Sequence, residues 1–322
     1  MDPISGLLDS PRALGAFLLR GVMAPPWSIR VQDRAPITVV ALLRGSACVL
    51  PASGAPEALS PGDVAILRGP DPYTLADQPG TPPGVLVHPD QSCTTLDGRS
   101  LVLSMQLGVR TWGNDLDGPD LMLIGTYPEH SVVSERLLRA LPPLVVVRHG
   151  EGSTAVVDAL AQEIARDAPG QAVVLDRLLD LVLVSAVRAW SARPDASTPA
   201  WYRAHGDPVV GRALRLVHDR PGEPWTVAGL AAEVGVSRAA FARRFTELVG
   251  EPPMTYLAGW RMALAADALR STDATLGAVA RQVGYGGAFA LSAAFRRAHG
   301  VSPQEYRVRL RQSPISVGGA EA

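Results

Sequence analysis

The chain has 322 residues, 47% hydrophobic and 19% charged, with 31 Gly, 28 Pro and a mean hydropathy of +0.13. This composition excludes wholesale disorder and, without a Gly repeat, a collagen-like fibre; the length predicts two domains of roughly 100–200 residues each. All 30 basic residues are Arg, and the net charge of −1 hides an asymmetry: residues 1–200 hold 15 Arg against 21 acids, residues 201–322 hold 15 against 10. The C-terminal part is therefore the one suited to a polyanion.

Two cysteines, Cys48 and Cys93, with no CxxC or Cys/His cluster, predict neither a disulfide framework nor zinc, and a cytoplasmic protein is expected. The opening MDPISGLLDS carries acids where a secretory signal carries positive charge. Apolar runs such as Ile37–Leu43 fall far short of the ~20 residues of a membrane helix, so no membrane partner is expected.

From Ile37 to Leu123, short β-branched runs (ITVVALL, ACVL, DVAIL, VLVH, LVLSM) alternate with turn-forming PASGAP, SPGD, RGPDP and QPGTPPG, which predicts a sandwich or barrel. After Pro142-Pro143 the period changes. Val156, Val157, Leu160, Ala161 and Ile164 predict a helix over 153–167, ended by Pro169-Gly170. Residues 171–190 are apolar on nearly every side, as in a helix buried on two faces. Either both faces pack inside one chain or one meets a second subunit in a homodimer. The Pro-, Ser- and Ala-rich stretch 191–207 reads as a linker.

Beyond it lies an internal repeat, LAAEVGVSRAAFARRF at 230–245 and VARQVGYGGAFALSAAF at 279–295. Aligning Gly235 with Gly284 aligns Ala231 with Ala280 and Val234 with Val283. A small Ala lets two helices cross closely, Gly takes the left-handed turn, and a second helix follows: a helix-turn-helix made twice. Thr226 and Ser237 are candidate N-caps. The segment from Pro252, with Tyr256, Leu257, Trp260, Leu264 and Leu269, predicts a long apolar-striped helix holding the two units apart, as reading successive major grooves ~34 Å apart requires.

These residues resemble the AraC/XylS family of bacterial transcription regulators: Trp225-Thr226, the Gly-x-Ser-x-x-x-Phe-x-x-x-Phe pattern from Gly235 to Phe245, Pro253 to Leu257, Gly284-Tyr285, and Gly300 to Arg307. The N-terminal part is similar to the cupin sensors found in that family, through Trp27, the Leu59–Asp63 turn, LPPLVVV and LLDLVLVSAVRAW. The resemblance implies an α+β multidomain chain. Residues 1–192 would form a cupin-like β jelly roll with a helical, dimerising appendage, 193–206 a linker, 207–311 an all-α double helix-turn-helix domain, and 312–322 a flexible tail. It implies a regulator that binds promoter DNA under control of an unidentified small-molecule effector, with RNA polymerase a partner if it activates. The alternatives are a cupin-fold enzyme with an appended helical module, or a regulator controlled by redox state or a partner protein.

Phe241, Phe245 and Leu248 must face the protein, which leaves Arg238, Ala239, Ala242, Arg243 and Thr246 toward DNA, with Arg243 suited to a guanine edge. On the second helix the candidates are Phe289, Ser292, Ala293, Arg296 and Arg297. Phe289 either contacts a thymine methyl or folds into the core, and Arg296 and Arg297 read as phosphate clamps. Trp27, Cys48 and Tyr73 are the candidate ligand-binding residues. The six histidines include no His-x-His pair, and Tyr73 stands where metal-binding cupins often have His, so no metal, cofactor or catalytic residue is expected.

Overall fold

A computed structural model describes residues 17–127, 141–152, 154–166, 168–193 and 200–312. Contacts divide them into one unit carrying the described residues up to 193 and another carrying 200–312.

In the first unit the alternating runs pair into two sheets. β1 (Phe17–Met23), β3 (Ile37–Arg44), β6 (Val64–Arg68), β10 (Gln106–Gly108), β11 (Thr111–Gly113), β12 (Asp120–Tyr127) and β13 (Leu144–Val147) form one, ordered β10-β11-β1-β12-β3-β6-β13. The other, ordered β5-β4-β7-β2-β8-β9, holds β2 (Ser28–Val31), β4 (Ala47–Pro51), β5 (Glu57–Leu59), β7 (Tyr73–Ala76), β8 (Val85–Val87) and β9 (Cys93–Thr94). Met23, Ile29, Val40, Leu42, Leu75 and Met122, drawn from both sheets, share one core. The SPGD turn before β6 is organised by Asp63. Burial works against its ionisation, but the backbone N–H groups of Ser60 and His149 and the Arg148 guanidinium donate to it and hold its carboxyl below the usual range.

β3 is buried along six consecutive residues, as a strand covered on both faces must be. Two helices follow the strands, α1 (Thr154–Ile164) and α2 (Gln171–Ser191), and α2 packs on β6, β13 and α1. Gly125 of β12 permits a close approach: a Cβ there would lie 2.4 Å from Leu179 of α2. Tyr127 donates a hydrogen bond to Asp180 of the same helix at 3.2 Å.

Two local expectations fail. The strands begin well before Ile37, with β1 and β2, and LVLSM (101–105) is a turn. There the Met105 N–H donates to the Leu101 carbonyl and Leu103 is 85% exposed, so this mostly apolar run closes on itself as a turn instead of extending as a strand.

The second unit is helical: α3 (Ala200–Arg203), a 3-10 turn (Ala204–Gly206), α4 (Val210–Asp219), α5 (Val227–Glu233), α6 (Arg238–Val249), α7 (Pro253–Ser271), α8 (Leu276–Gln282), α9 (Ala288–His299) and α10 (Pro303–Gln312). Residues 200–206, read from the sequence as linker, thus form structure in this unit, and Ala204 is part of its core. Long α7 serves two cores. Tyr256, Leu257, Trp260 and Ala263 pack with α4, α5 and α6, while Met262, Ala265, Ala266 and Leu269 pack with α8 and α9. Arg261 Nε donates to the Pro221 carbonyl at 2.7 Å and its Nη2 to the Glu223 carbonyl at 2.6 Å, tying the loop before α5 to α7. Arg307 donates to the carbonyls of Leu269, Thr272 and Ala274, satisfying the open C-terminus of α7 with a cation.

Candidate nucleic-acid interface and ligand cavity

Each helix pair is set by local chemistry. Thr226 accepts from the Gly229 N–H at 3.0 Å and Ser237 from Ala240 at 3.2 Å, so both candidate caps are made, and Thr275, not singled out in the sequence, accepts from Ala278 at 3.2 Å. Gly235 and Gly284 take the two turns at φ +74 and +78, where a side chain is disfavoured. The aromatic and aliphatic residues of the repeat then point inward: Phe241 and Phe245 are fully buried on α6, Leu291 and Phe295 on α9.

What remains outward on α6 is Arg238, Ala239, Arg243 and Thr246, with Ala242 half-buried. Arg238 makes no hydrogen bond or ion pair among the described residues, and Arg243 has only a long 3.8 Å approach to Glu247, one turn on. Arg244 differs. It grips Asp207 through Nε and Nη2 at 3.1 and 2.6 Å, and Asp207 also accepts the Val209 and Val210 N–H groups at the start of α4. That Arg holds Asp207 below the usual carboxylate range and clamps α6 to α4. Of three neighbouring cations, two project from the helix and one is committed to the fold.

On α9, Phe289 is 89% exposed, so it does not fold into the core. Ala290, Ala293, Arg296 and Arg297 are exposed and Ser292 half-buried. The two arginines make no hydrogen bond or ion pair among the described residues. Matching Phe241 with Leu291 and Phe245 with Phe295 pairs Ala239 with Phe289 and Arg243 with Ala293. The outward Ala290 was missed in the sequence, where an alanine in an alanine-rich helix carries no mark.

The two-sheeted unit holds a cavity of about 400 Å³. Its lining surface is predominantly apolar, with Leu19, Ile29, Val31, Leu75, Val87, Trp112 and Ile124 contributing, and Tyr73, Asp33, Gln91, Gln106, Arg110 and Thr126 are among its polar groups. Of the three candidate ligand residues, Tyr73 lines it; burial pushes its phenol well up, with Asp33 adding to the effect. Trp27 lies in the core, its indole N–H donating to the buried Asp120 carboxylate at 2.7 Å, and Cys48 is buried in β4. Neither lines the cavity. Cys93, not among the ligand candidates, does; burial and then Asp90 push its thiol to about 11, away from the thiolate a reactive cysteine needs. Burial raises Cys48 too.

No group of three or more His, Cys, Asp or Glu able to hold a metal is present among the described residues. No helix among them is long and apolar enough to cross a membrane.

Residues 2–192 match the family described as Cupin, and residues 230–309 the one described as Helix-turn-helix domain. A protein of Streptomyces lividans named as an AraC-like transcription regulator is 32% identical over 314 residues, covering 95% of this chain and 98% of its own. One from Streptomyces antibioticus with the same description is 32% identical over 316 residues, again covering 95% and 98%. Among solved structures, the DNA-binding domain of AdpA, a global transcriptional factor in complex with a target DNA, is 33% identical, covering 33% of this chain and 95% of that one with a TM-score of 0.32.

Proposed function

This chain belongs to the AraC-like family of transcription regulators, DNA-binding proteins with a cupin domain ahead of the helix-turn-helix domain, and from that premise we propose how its parts share the work. α6 is the principal reading helix, and the observation that carries this is the contrast among its arginines: Arg238 and Arg243 project unclamped while Arg244 is spent on Asp207. Ala239, Ala242 and Thr246 complete the reading face. Arg243 can clasp a guanine edge with its planar fork, and Arg296 and Arg297 on α9 anchor phosphates.

A small molecule in the 400 Å³ cavity controls the regulator from the cytoplasm; its predominantly apolar surface, with several polar side chains at its wall, suits a largely apolar ligand oriented by one or two hydrogen bonds. The chain acts by binding, not by catalysis, and RNA polymerase is its partner if it activates. The homodimer is formed through α2.

Selection of binding sites from random duplexes by the full chain, followed by single base-pair changes in the recovered site, tests the reading. Sensitivity concentrated in the half-site under α6 is expected. Recovery of no preferred sequence rejects it.

A further inference from the structure

A single exposed aromatic ring is ordinary on a protein surface; its position decides whether it means anything. Phe289 stands in the first turn of α9, 89% exposed, at the position that Ala239 occupies on α6. The first turn of a recognition helix is the part that meets base edges in the major groove. Phe289, Ala293 and Arg296 are spaced four and three residues apart and so share one helix face. Gly286 and Gly287 precede the ring and add no side chain beside it, and α9 contains no Asp or Glu. The helix therefore presents DNA with an apolar tip followed by cations. At the place of Arg243 it has Ala293, which has no side-chain donor or acceptor.

A base edge offers one apolar feature in the major groove, the C5-methyl of thymine. We propose that α9 reads its half-site through Phe289 by apolar contact with thymine methyl groups, making Phe289 a specificity-determining residue of the second helix. This rests on the DNA-reading role proposed above. The occupant of the ring's surroundings is then the duplex already engaged by Arg296 and Arg297, whose charge matches it, and no separate partner is needed.

The test uses the full chain and its selected site, with each dT under α9 replaced singly by dU, which deletes the methyl and leaves every hydrogen-bonding group. At one or two positions the Kd should rise about fourfold, the factor that burying one methyl group is worth. Phe289→Ala should bind the dT and dU duplexes equally, Phe289→Leu should keep part of the difference, and Arg243→Ala should keep all of it. An unchanged melting curve for Phe289→Ala shows that the fold is intact. Specific binding with no dU-sensitive position under α9 overturns the proposal while leaving the DNA-reading role standing. A Phe289→Ala loss equal on dT and dU duplexes also overturns it, because it marks a wedge or stacking contact instead. If no preferred site is recovered, the DNA-reading role itself fails and this proposal with it.

Discussion

Arginine carries every full positive side-chain charge in this protein, so charge alone separates nothing, and what each Arg touches must decide. Arg244 is held by a carboxylate that also caps α4; Arg243, beside it, is 77% exposed on its side chain and weakly tied. If Arg243 reads a base, Arg243→Ala should cost about 1–3 kcal/mol on the selected site, flatten preference at one base pair and hardly change non-specific affinity. Arg296→Ala should weaken all sequences alike and lower the slope of log K against log salt by about one, because one fewer counterion is released. Titrations at several salt concentrations separate the two. An Arg243→Ala loss spread evenly over unrelated sequences defeats the assignment.

Elements inherit such residue-level constraints through their turns. The two turn glycines have nearly the same φ, yet a Cβ at Gly235 meets open space while one at Gly284 would lie 2.7 Å from both Arg261 Nη2 and the Gly222 carbonyl. Gly235→Ala should therefore cost roughly the 1–2 kcal/mol of a left-handed non-glycine residue, and Gly284→Ala clearly more, because backbone cannot move aside as a flexible side chain can. Thermal unfolding of the two variants checks the order. Both glycines were legible in the sequence, since the repeat marks them together with the caps and buried aromatics. Their inequality was not: it depends on Arg261, whose contacts with a loop some 40 residues away leave no local pattern. The strand region was legible only in part for a similar reason. β3 announces itself by a β-branched, mostly apolar run, but the likewise mostly apolar LVLSM becomes a turn, because pairing is decided by neighbours distant in sequence. Helix α2 mixes both cases. Its excess apolar surface is real, but Val182 is core at 2% exposure, whereas Val173, Val174 and Leu181 are exposed. The subunit contact proposed for α2 should thus be disrupted by Val174→Glu with Leu181→Glu, detected as weaker self-association in sedimentation. A wild type that stays monomeric at micromolar concentration with and without DNA removes the proposal.

At the scale of the molecule, the acidic and basic halves of the sequence correspond to a unit with a cavity and a unit with projecting arginines, and a regulator must couple them. The structure gives the coupling a starting point within the first unit. Arg110 lines the cavity, and its charge acts on Asp176 of α2, where burial raises the carboxyl and the attraction of Arg110, then Arg177, opposes the rise. A ligand that neutralises Arg110 would remove one of the two attractions that favour the Asp176 carboxylate. The far end of α2 is fixed as well: Arg193 just beyond it donates to the Val146 carbonyl at 2.6 Å and pairs with Glu151. A domain cut should respect the second unit's own bounds. Ala204 is in its core and Asp207 clamps Arg244, so a fragment starting at 198 should melt higher than one starting at 208 and should bind the selected site without any response to ligand. Filling the cavity gives the complementary experiment. Val87→Trp adds bulk at a half-buried wall position at a cost of about 1–3 kcal/mol, which leaves the fold in place if the strands keep their pairing. That variant should bind the site with the affinity of the ligand-free wild type and ignore a ligand that shifts wild-type binding, read by anisotropy titration with and without it. A normal ligand response in Val87→Trp would move the effector site out of this cavity, and a ligand response by the 198–312 fragment would move it out of the first unit altogether.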